Sequence, residues 1–462
     1  MKSTLFELQP YIAGAIAHVD ATFDGISTDS RTATAGTLFI ALRGEKFDAH
    51  HYMGGLAARG VAAVIVERLP KDVDLPALIV PDTRVALAAI ARYWRRQFTL
   101  PVIGVTGSNG KTTVKEMLAS ILQVAAGDNQ FLATRGNFNN DIGVPLTVLR
   151  LHAGCRAAVI ELGMNHPGEI AQLAKIAHPT IGLVNNAQRE HQEFMASVEA
   201  VAIENGAVIQ SLPLNGTAVF PADDSFTALW LGYAKESGRR KVITFGLSAE
   251  ADVSCTWKAS GFGSAMVVRV NTATTTITFD VVLMAAGQHN VRNALAAIAC
   301  AFALGVKPAK IARGLAEFRP VNGRLQRKQA PNGTQVIDDT YNANPDSVRA
   351  AIDVLAHADG PTVLVLGDMG EVGTDGRKYH EEVGAYARGR GIGRLLTLGE
   401  LAQCSGSAFG AHANHFSDIA TLLNALESIL TPNTTVLVKG SRFMQMERVV
   451  QHLTGQSQQD AH

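Results

Sequence analysis

The sequence predicts an α/β protein of three domains. A central parallel sheet of the P-loop, mononucleotide-binding kind stands between an N-terminal α/β unit and a C-terminal doubly wound α/β unit. Three observations carry this expectation. A short apolar run, Val102 to Thr106, leads through a Gly-rich turn into Lys111-Thr112-Thr113 and a helical pattern. Apolar runs of strand length alternate with helix-length amphipathic stretches along nearly the whole chain, the signature of parallel sheets covered by helices. The 462 residues, 47% of them hydrophobic, are enough for several cores.

The turn Gly107-Ser108-Asn109-Gly110-Lys111-Thr112-Thr113 suits a phosphate cradle. Strand, glycine turn and helix aim backbone N–H groups and a helix N-terminus at an anion, a lysine adds charge, and a threonine hydroxyl can ligate Mg²⁺. The commonest spacing places glycine five residues before Gly110, where this chain has Val105. Gly104 and Gly107 bracket that place, so the loop is a short variant.

Composition narrows the rest. Lys plus Arg and Asp plus Glu both number 41, so no bulk charge points to nucleic acid or a membrane surface. Cys155, Cys255, Cys300 and Cys404 lie far apart, without zinc-type spacing, as in a cytoplasmic protein with reduced thiols. Lys2, Glu7 and Pro10 make a poor signal peptide, and the longest apolar run, Ala294 to Leu304, is too short to cross a bilayer.

Residues 1–100 form the first expected unit. Strands are expected at 37–42, 61–66 and 77–80, and helices at 52–59 and 84–98. Residues 101–320 form the second, with strands at 102–106, 157–162, 180–184 and 216–220. A β-rich antiparallel appendage over 253–284 includes a strand at 272–279, and a helix runs over 289–304. Residues 321–462 form the third, with strands at 335–338, 362–366, 394–397 and 435–438, and a polar tail from Gly455 expected to fray.

Ligands in such sheets sit at the carboxyl ends of strands. Glu161 ends one strand, His191 lies beyond the next, and Asp338 and Asp339 end the first strand of the third unit. Glu161 and His191 could hold Mg²⁺ directly or through water, or be a strand-end charge and a surface-loop histidine. Ser27-Thr28-Asp29-Ser30-Arg31 suits a polar, phosphate-bearing ligand, and equally a capped turn. The run from Thr134 to Pro145, with Asn137 and Asn140, is dense in hydrogen-bonding groups of the kind used in binding loops or in turns. Asn290 and Asn293 share a helix face and could read a purine edge, or Asn290 could be only a cap.

Together these segments resemble the Mur ligases. The resemblance rests on Gly107 to Thr113, Glu161-Leu162-Gly163 with Asn165 to Ile170, Gly287 to Asn293, and Asn322-Gly323-Arg324-Leu325. Within the family, Gly136 to Thr147, Asp339 to Pro345, Leu366 to Glu371 and Val438 to Arg442 resemble the branch that acts on D-alanyl-D-alanine. The resemblance implies that ATP phosphorylates the terminal carboxylate of a UDP-N-acetylmuramoyl-tripeptide and that the dipeptide amine attacks the acyl phosphate. It implies ATP and Mg²⁺ as cofactors, a cytoplasmic setting and a monomer, with no nucleic acid and no membrane insertion.

By resemblance, Gly107, Ser108, Asn109, Gly110, Lys111, Thr112 and Thr113 hold the phosphates, and Lys111 stabilises the transferring group. Thr112, Glu161 and His191 are the metal ligands. Asn290 and Asn293 contact adenine, while Arg324 and Asp339 reach the nucleotide from the third unit. Ser27 to Arg31 belong to the UDP site, with Asn137 and Asn140 assigned to substrate. One departure stands out. The family usually carries a carbamylated lysine on the helix after the histidine loop, and the matching position here is Asn205, within Ile203-Glu204-Asn205-Gly206-Ala207. The expected alternatives are a metal held there through Asn205 and water, or Glu204 or another acid in its place. Two rival readings remain: a sibling amide ligase with another acceptor, and a nucleotide-dependent switch that ligates nothing.

Overall fold

The computed structural model describes residues 1–44, 46–236 and 238–455. The expected frayed tail lies outside them beyond Gly455. Three sheets organise the chain. The first has five strands drawn from residues 16–79, and strands Leu38–Ile40, Ala63–Val66 and Ala77–Ile79 run parallel within it. The expected helix over 52–59 is instead a run of turns after a short 3-10 segment, Ala49–Tyr52. Gly54 and Gly55 interrupt it, and Gly55 has φ +82°, a conformation that glycine adopts freely and that no right-handed helix contains.

The central sheet has nine strands. Val102–Thr106 lies between Ile181–Val184 and Ala157–Glu161 and is parallel to both. All five of its residues are buried, as expected where helices cover both faces of a parallel sheet. Chain order reverses at this strand, so the crevice beyond its carboxyl end is where such sheets bind ligands. Phe131–Ala133 forms one edge. On the other side, Thr217–Pro221 and Lys241–Phe245 continue the sheet into the antiparallel strands Val253–Ala259, Ser264–Asn271 and Thr276–Leu283. The β-rich segment is therefore an extension of the central sheet, joined through the Phe245–Val253 pair. The strand expected at 272–279 begins at Thr276, because Thr272 turns back on Thr275 through paired hydrogen bonds.

The third sheet has six strands. Gln326–Gln329 pairs antiparallel with Gln335–Asp339; beyond it Thr435–Lys439, Thr362–Gly367, Arg394–Leu398 and Ala413–Phe416 follow in parallel. One apolar cluster runs without a break from the first unit onto one face of the central sheet, whereas the third unit has two clusters of its own. Arg95 reinforces the first junction. Its buried guanidinium donates to the carbonyls of Ala177, Phe98, Leu100 and His178 at 2.6–3.3 Å, which satisfies donors that are costly to bury unpaired. The first two units thus form one packed body. The third meets it through polar contacts around the cleft and through Phe262 and Ala286, which pack against one of its apolar clusters.

Candidate functional site

The site grows out of the loop after Val102–Thr106. Gly110 caps the helix Lys111–Ala126 with φ +82°, and no side chain fits there. A Cβ at Gly110 would lie 2.3 Å from Asn293 Oδ1 and 2.7 Å from Asn185 Nδ2. The loop is held from behind by carboxamides. The N–H of Gly107 donates to Asn205 Oδ1 (2.8 Å), that of Asn109 to Asn186 Oδ1 (2.9 Å), and that of Ser108 to the Asn186 carbonyl (3.2 Å). Three amides assigned above to phosphate are therefore used inside the loop. Those left to face an anion are at the helix start, where Lys111, Thr112 and Thr113 have no intrahelical acceptor.

Thr112 Oγ1 donates to Glu161 Oε1 (3.1 Å), as does Asn139 Nδ2 (2.9 Å). Glu161 is 1% exposed, and its Oε2 has no partner. Lys111 Nζ donates to the carbonyls of Gly107 (2.6 Å) and Ser108 (3.1 Å) and pairs with Glu190 Oε1 at 2.9 Å. His191 Nε2 lies 3.4 Å from the same Glu190 oxygen, and its Nδ1 lies 2.5 Å from Glu371 Oε2 in the third unit. Burial opposes a charge on His191, but the two carboxylates outweigh it and raise its pKa to about 9. Its contact with His191 holds the Glu371 carboxyl below its ordinary range.

The third unit closes the cleft. Asn344 Nδ2 donates to Asn109 Oδ1 (2.9 Å). Arg189, beside the loop, pairs with Asp346 (2.6 Å) and Glu382 (2.7 Å) of the third unit. Asp339 pairs with buried Lys439 (2.6 Å) and accepts from the Leu325 N–H (3.1 Å), while Arg324 lies 4.1 Å over the Tyr341 ring. Asn344, Asp346, Asp339, Lys439, Arg324 and Tyr341 line, with the loop, one cleft of about 880 Å³, and the Arg189–Glu382 pair lies outside its lining.

Of the residues singled out in the sequence, Ser108 to Thr113, Asn137, Asn140, Glu161, His191, Asn290, Asn293, Arg324 and Asp339 line this cleft. Gly107 lies behind it, tied to Asn205. Asn293 accepts from Asn185 Nδ2 (2.9 Å) and donates to Asn290 (3.2 Å), so this pair braces the loop. Ser27 to Arg31 do not line the cleft. They form an internally satisfied turn in which Asp29 accepts from the N–H and guanidinium of Arg31, which brings its carboxyl down to about 2.

Neither Asn205 nor Glu204 reaches the cleft. Asn205 is 1% exposed, with its oxygen on Gly107, and Glu204 caps a helix by accepting from the N–H groups of Gly168 and Ile170, both at 2.7 Å. Sequence reasoning missed Asn185, Asn186, Arg189 and Glu190, and named Asn139 only within its Asn-rich run. The adjacent amides of Asn185 and Asn186 at a strand end were the available signal. The ion pairs of Arg189 and Glu190 left none, because their partners are distant in sequence.

Among the described residues, no cluster of three or more His, Cys, Asp or Glu is arranged to hold a metal. That does not disfavour Mg²⁺, which in phosphoryl-transfer sites takes one or two carboxylates plus phosphates and water. The unpartnered Glu161 oxygen beside the Thr112 hydroxyl fits such an ion.

Comparison with known proteins gives consistent matches. Three family models cover most of the chain: the Mur ligase family, catalytic domain (residues 22–95), the Mur ligase middle domain (105–301), and the Mur ligase, glutamate ligase domain (323–442). The chain is 41% identical to an Escherichia coli UDP-N-acetylmuramoyl-tripeptide–D-alanyl-D-alanine ligase, covering 97% of this chain and 98% of that one. A Bacillus subtilis protein of the same name is 32% identical, with 98% of each chain covered. Among solved structures, MurF from Acinetobacter baumannii superposes with a TM-score of 0.90 at 35% identity over 98% of this chain and 99% of that one. MurF ligase from Thermotoga maritima in complex with ADP gives 0.80 at 26% identity, over 94% and 98%.

Proposed function

The chain belongs to the Mur ligase family, and we propose that its cleft joins D-alanyl-D-alanine to UDP-N-acetylmuramoyl-tripeptide at the expense of ATP. The products are UDP-N-acetylmuramoyl-pentapeptide, ADP and phosphate, and the reaction belongs to peptidoglycan precursor synthesis. The carrying observation is the convergence on one cleft of Lys111 and an open helix N-terminus with Arg324, Asp339 and Lys439 of a separate domain. A nucleotide site that only switches has no need of an acceptor domain closing over its phosphates.

The chemistry follows from charge. A free carboxylate is a poor acyl donor because its leaving group is oxide. Phosphorylation gives it a leaving group, but requires two anions to meet. The amides of Lys111 to Thr113 hold the phosphates, and Lys111 turns from Glu190 to the transferring group. Thr112 and Glu161 would hold Mg²⁺, which would supply neutralisation of phosphate charge. The dipeptide amine then attacks the acyl phosphate carbonyl, and phosphate departs with the C–O bonding pair. The loops of the third unit at Asp339 to Asn344 exclude water from that intermediate.

We place the enzyme in the cytoplasm as a monomer. ATP is its co-substrate, its four cysteines are unpaired, and all three units of one chain build the cleft. The test is ADP release from ATP with UDP-N-acetylmuramoyl-tripeptide, with and without D-alanyl-D-alanine. Release that depends on both substrates supports the reading; release indifferent to the dipeptide contradicts it.

A further inference from the structure

The family pattern puts an anionic, carbamylated lysine where this chain has Asn205, and the side chains of Asn205 and Glu204 are both committed elsewhere. The charge that position supplies must come from another group or be missing. Glu190 is that group by placement. Its Oε1 sits 2.9 Å from Lys111 Nζ and 3.4 Å from His191 Nε2. Its Oε2 is buried and has no partner, as is Oε2 of Glu161. Lys111 and Thr112 are consecutive, and one pairs with Glu190 while the other bonds Glu161. The two orphaned carboxylate oxygens therefore flank the start of the same helix, and both residues line the cleft.

A carboxylate oxygen buried without a donor is costly unless a cation or a donor completes it. The backbone around Glu190 is fixed. Its N–H donates to the Gln188 carbonyl (2.9 Å), its carbonyl accepts from Gln192 Nε2 (3.2 Å), and the next residue, His191, is held at φ +51° with its carbonyl accepting from Phe194 and Met195.

We propose that Glu190, held beside Lys111 at the start of the loop's helix, supplies the anionic ligand of a second magnesium ion, in place of a carbamylated lysine at position 205. The proposal rests on the phosphoryl-transfer reading of the cleft. It makes the divalent-ion site a property of unmodified side chains. A carboxylate, completed by phosphate oxygens and water, suits a hard octahedral cation, which needs only one or two protein carboxylates.

The test is titration of the full chain with Mn²⁺, a spectroscopic stand-in for Mg²⁺, in the presence of a non-hydrolysable ATP analogue, with free Mn²⁺ read by electron paramagnetic resonance. The wild type should bind two Mn²⁺ per chain. Glu190→Gln should keep the nucleotide and the first ion and weaken the second by about tenfold or more, and Glu190→Asp should retain the second ion at intermediate affinity. Thermal melting of each variant separates loss of a ligand from loss of fold. Unchanged affinity for both ions in a folded Glu190→Gln overturns the proposal, as does a wild type that binds the nucleotide with a single Mn²⁺. Absence of nucleotide binding in the wild type overturns the reading of the cleft and the proposal with it.

Discussion

Replacing Gly110 by alanine should disable nucleotide binding while leaving most of the protein folded. Gly110 stands at φ +82°, where an L residue with a side chain costs about 1–2 kcal/mol. The added Cβ would also meet Asn293 Oδ1 at 2.3 Å and Asn185 Nδ2 at 2.7 Å. These two atoms are joined by a buried 2.9 Å hydrogen bond. Separating them leaves a buried amide unsatisfied, a loss of about 1–3 kcal/mol. The sum is about 2–5 kcal/mol. The loop can escape it by abandoning its native shape, and binding must then restore that shape. At 1.4 kcal/mol per factor of ten, ADP affinity should fall about 30-fold or more. Isothermal titration calorimetry with ADP reads this directly. Gly305→Ala is the control: its φ is +77°, but nothing lies within 4 Å of its Cβ, so it should carry the backbone strain and bind ADP normally. Wild-type ADP affinity in Gly110→Ala would refute the account of the loop.

Lys111→Ala should lower kcat by about a hundredfold or more with an unchanged far-UV spectrum, since its pairing with Glu190 is local; near-normal turnover would remove Lys111 from the chemistry. Arg189→Ala removes the guanidinium between Asp346 and Glu382. Glu382 keeps Arg349 and Asp346 keeps only the backbone N–H of residue 189 (3.0 Å), so loss of about 1.5–3 kcal/mol of interdomain contact is expected, read as a larger radius of gyration in small-angle scattering and lower kcat/KM. A compact, fully active Arg189→Ala would show that other contacts close the cleft. Because position 205 is asparagine, turnover should be indifferent to removal of bicarbonate and carbon dioxide, and a rate that falls in degassed buffer and recovers on bicarbonate addition would contradict this.

The parts legible in the sequence were those written in local pattern. A strand, a glycine turn and Lys111-Thr112 announce their geometry within a dozen residues, and each parallel strand is a near-continuous apolar run because both of its faces are buried. Local pattern failed where two signals competed. Residues 52–59 carry helical spacing, but Gly54 and Gly55 break it, and the strand expected at 272 starts later because the threonines around it favour a turn. The site was legible as a set of candidates and not as a circuit. Lys111 was found, but not its tie to Glu190. His191 was found, but not that Glu190 and, 180 residues away, Glu371 together favour its charged form. Asn205 was noticed for the lysine it displaces, while its role in holding the Gly107 N–H depends on helix packing that no spacing rule encodes.

In the proposed reaction the cleft activates a carboxylate by phosphorylation before the amide forms. The most direct measurement of that step uses UDP-N-acetylmuramoyl-tripeptide carrying heavy oxygen in the terminal carboxylate, turned over with ATP and D-alanyl-D-alanine, with the released phosphate analysed by mass spectrometry. An acyl phosphate requires one carboxylate oxygen to leave with the phosphorus, so labelled phosphate should appear in step with the amide product. Unlabelled phosphate beside a full yield of product would contradict the account.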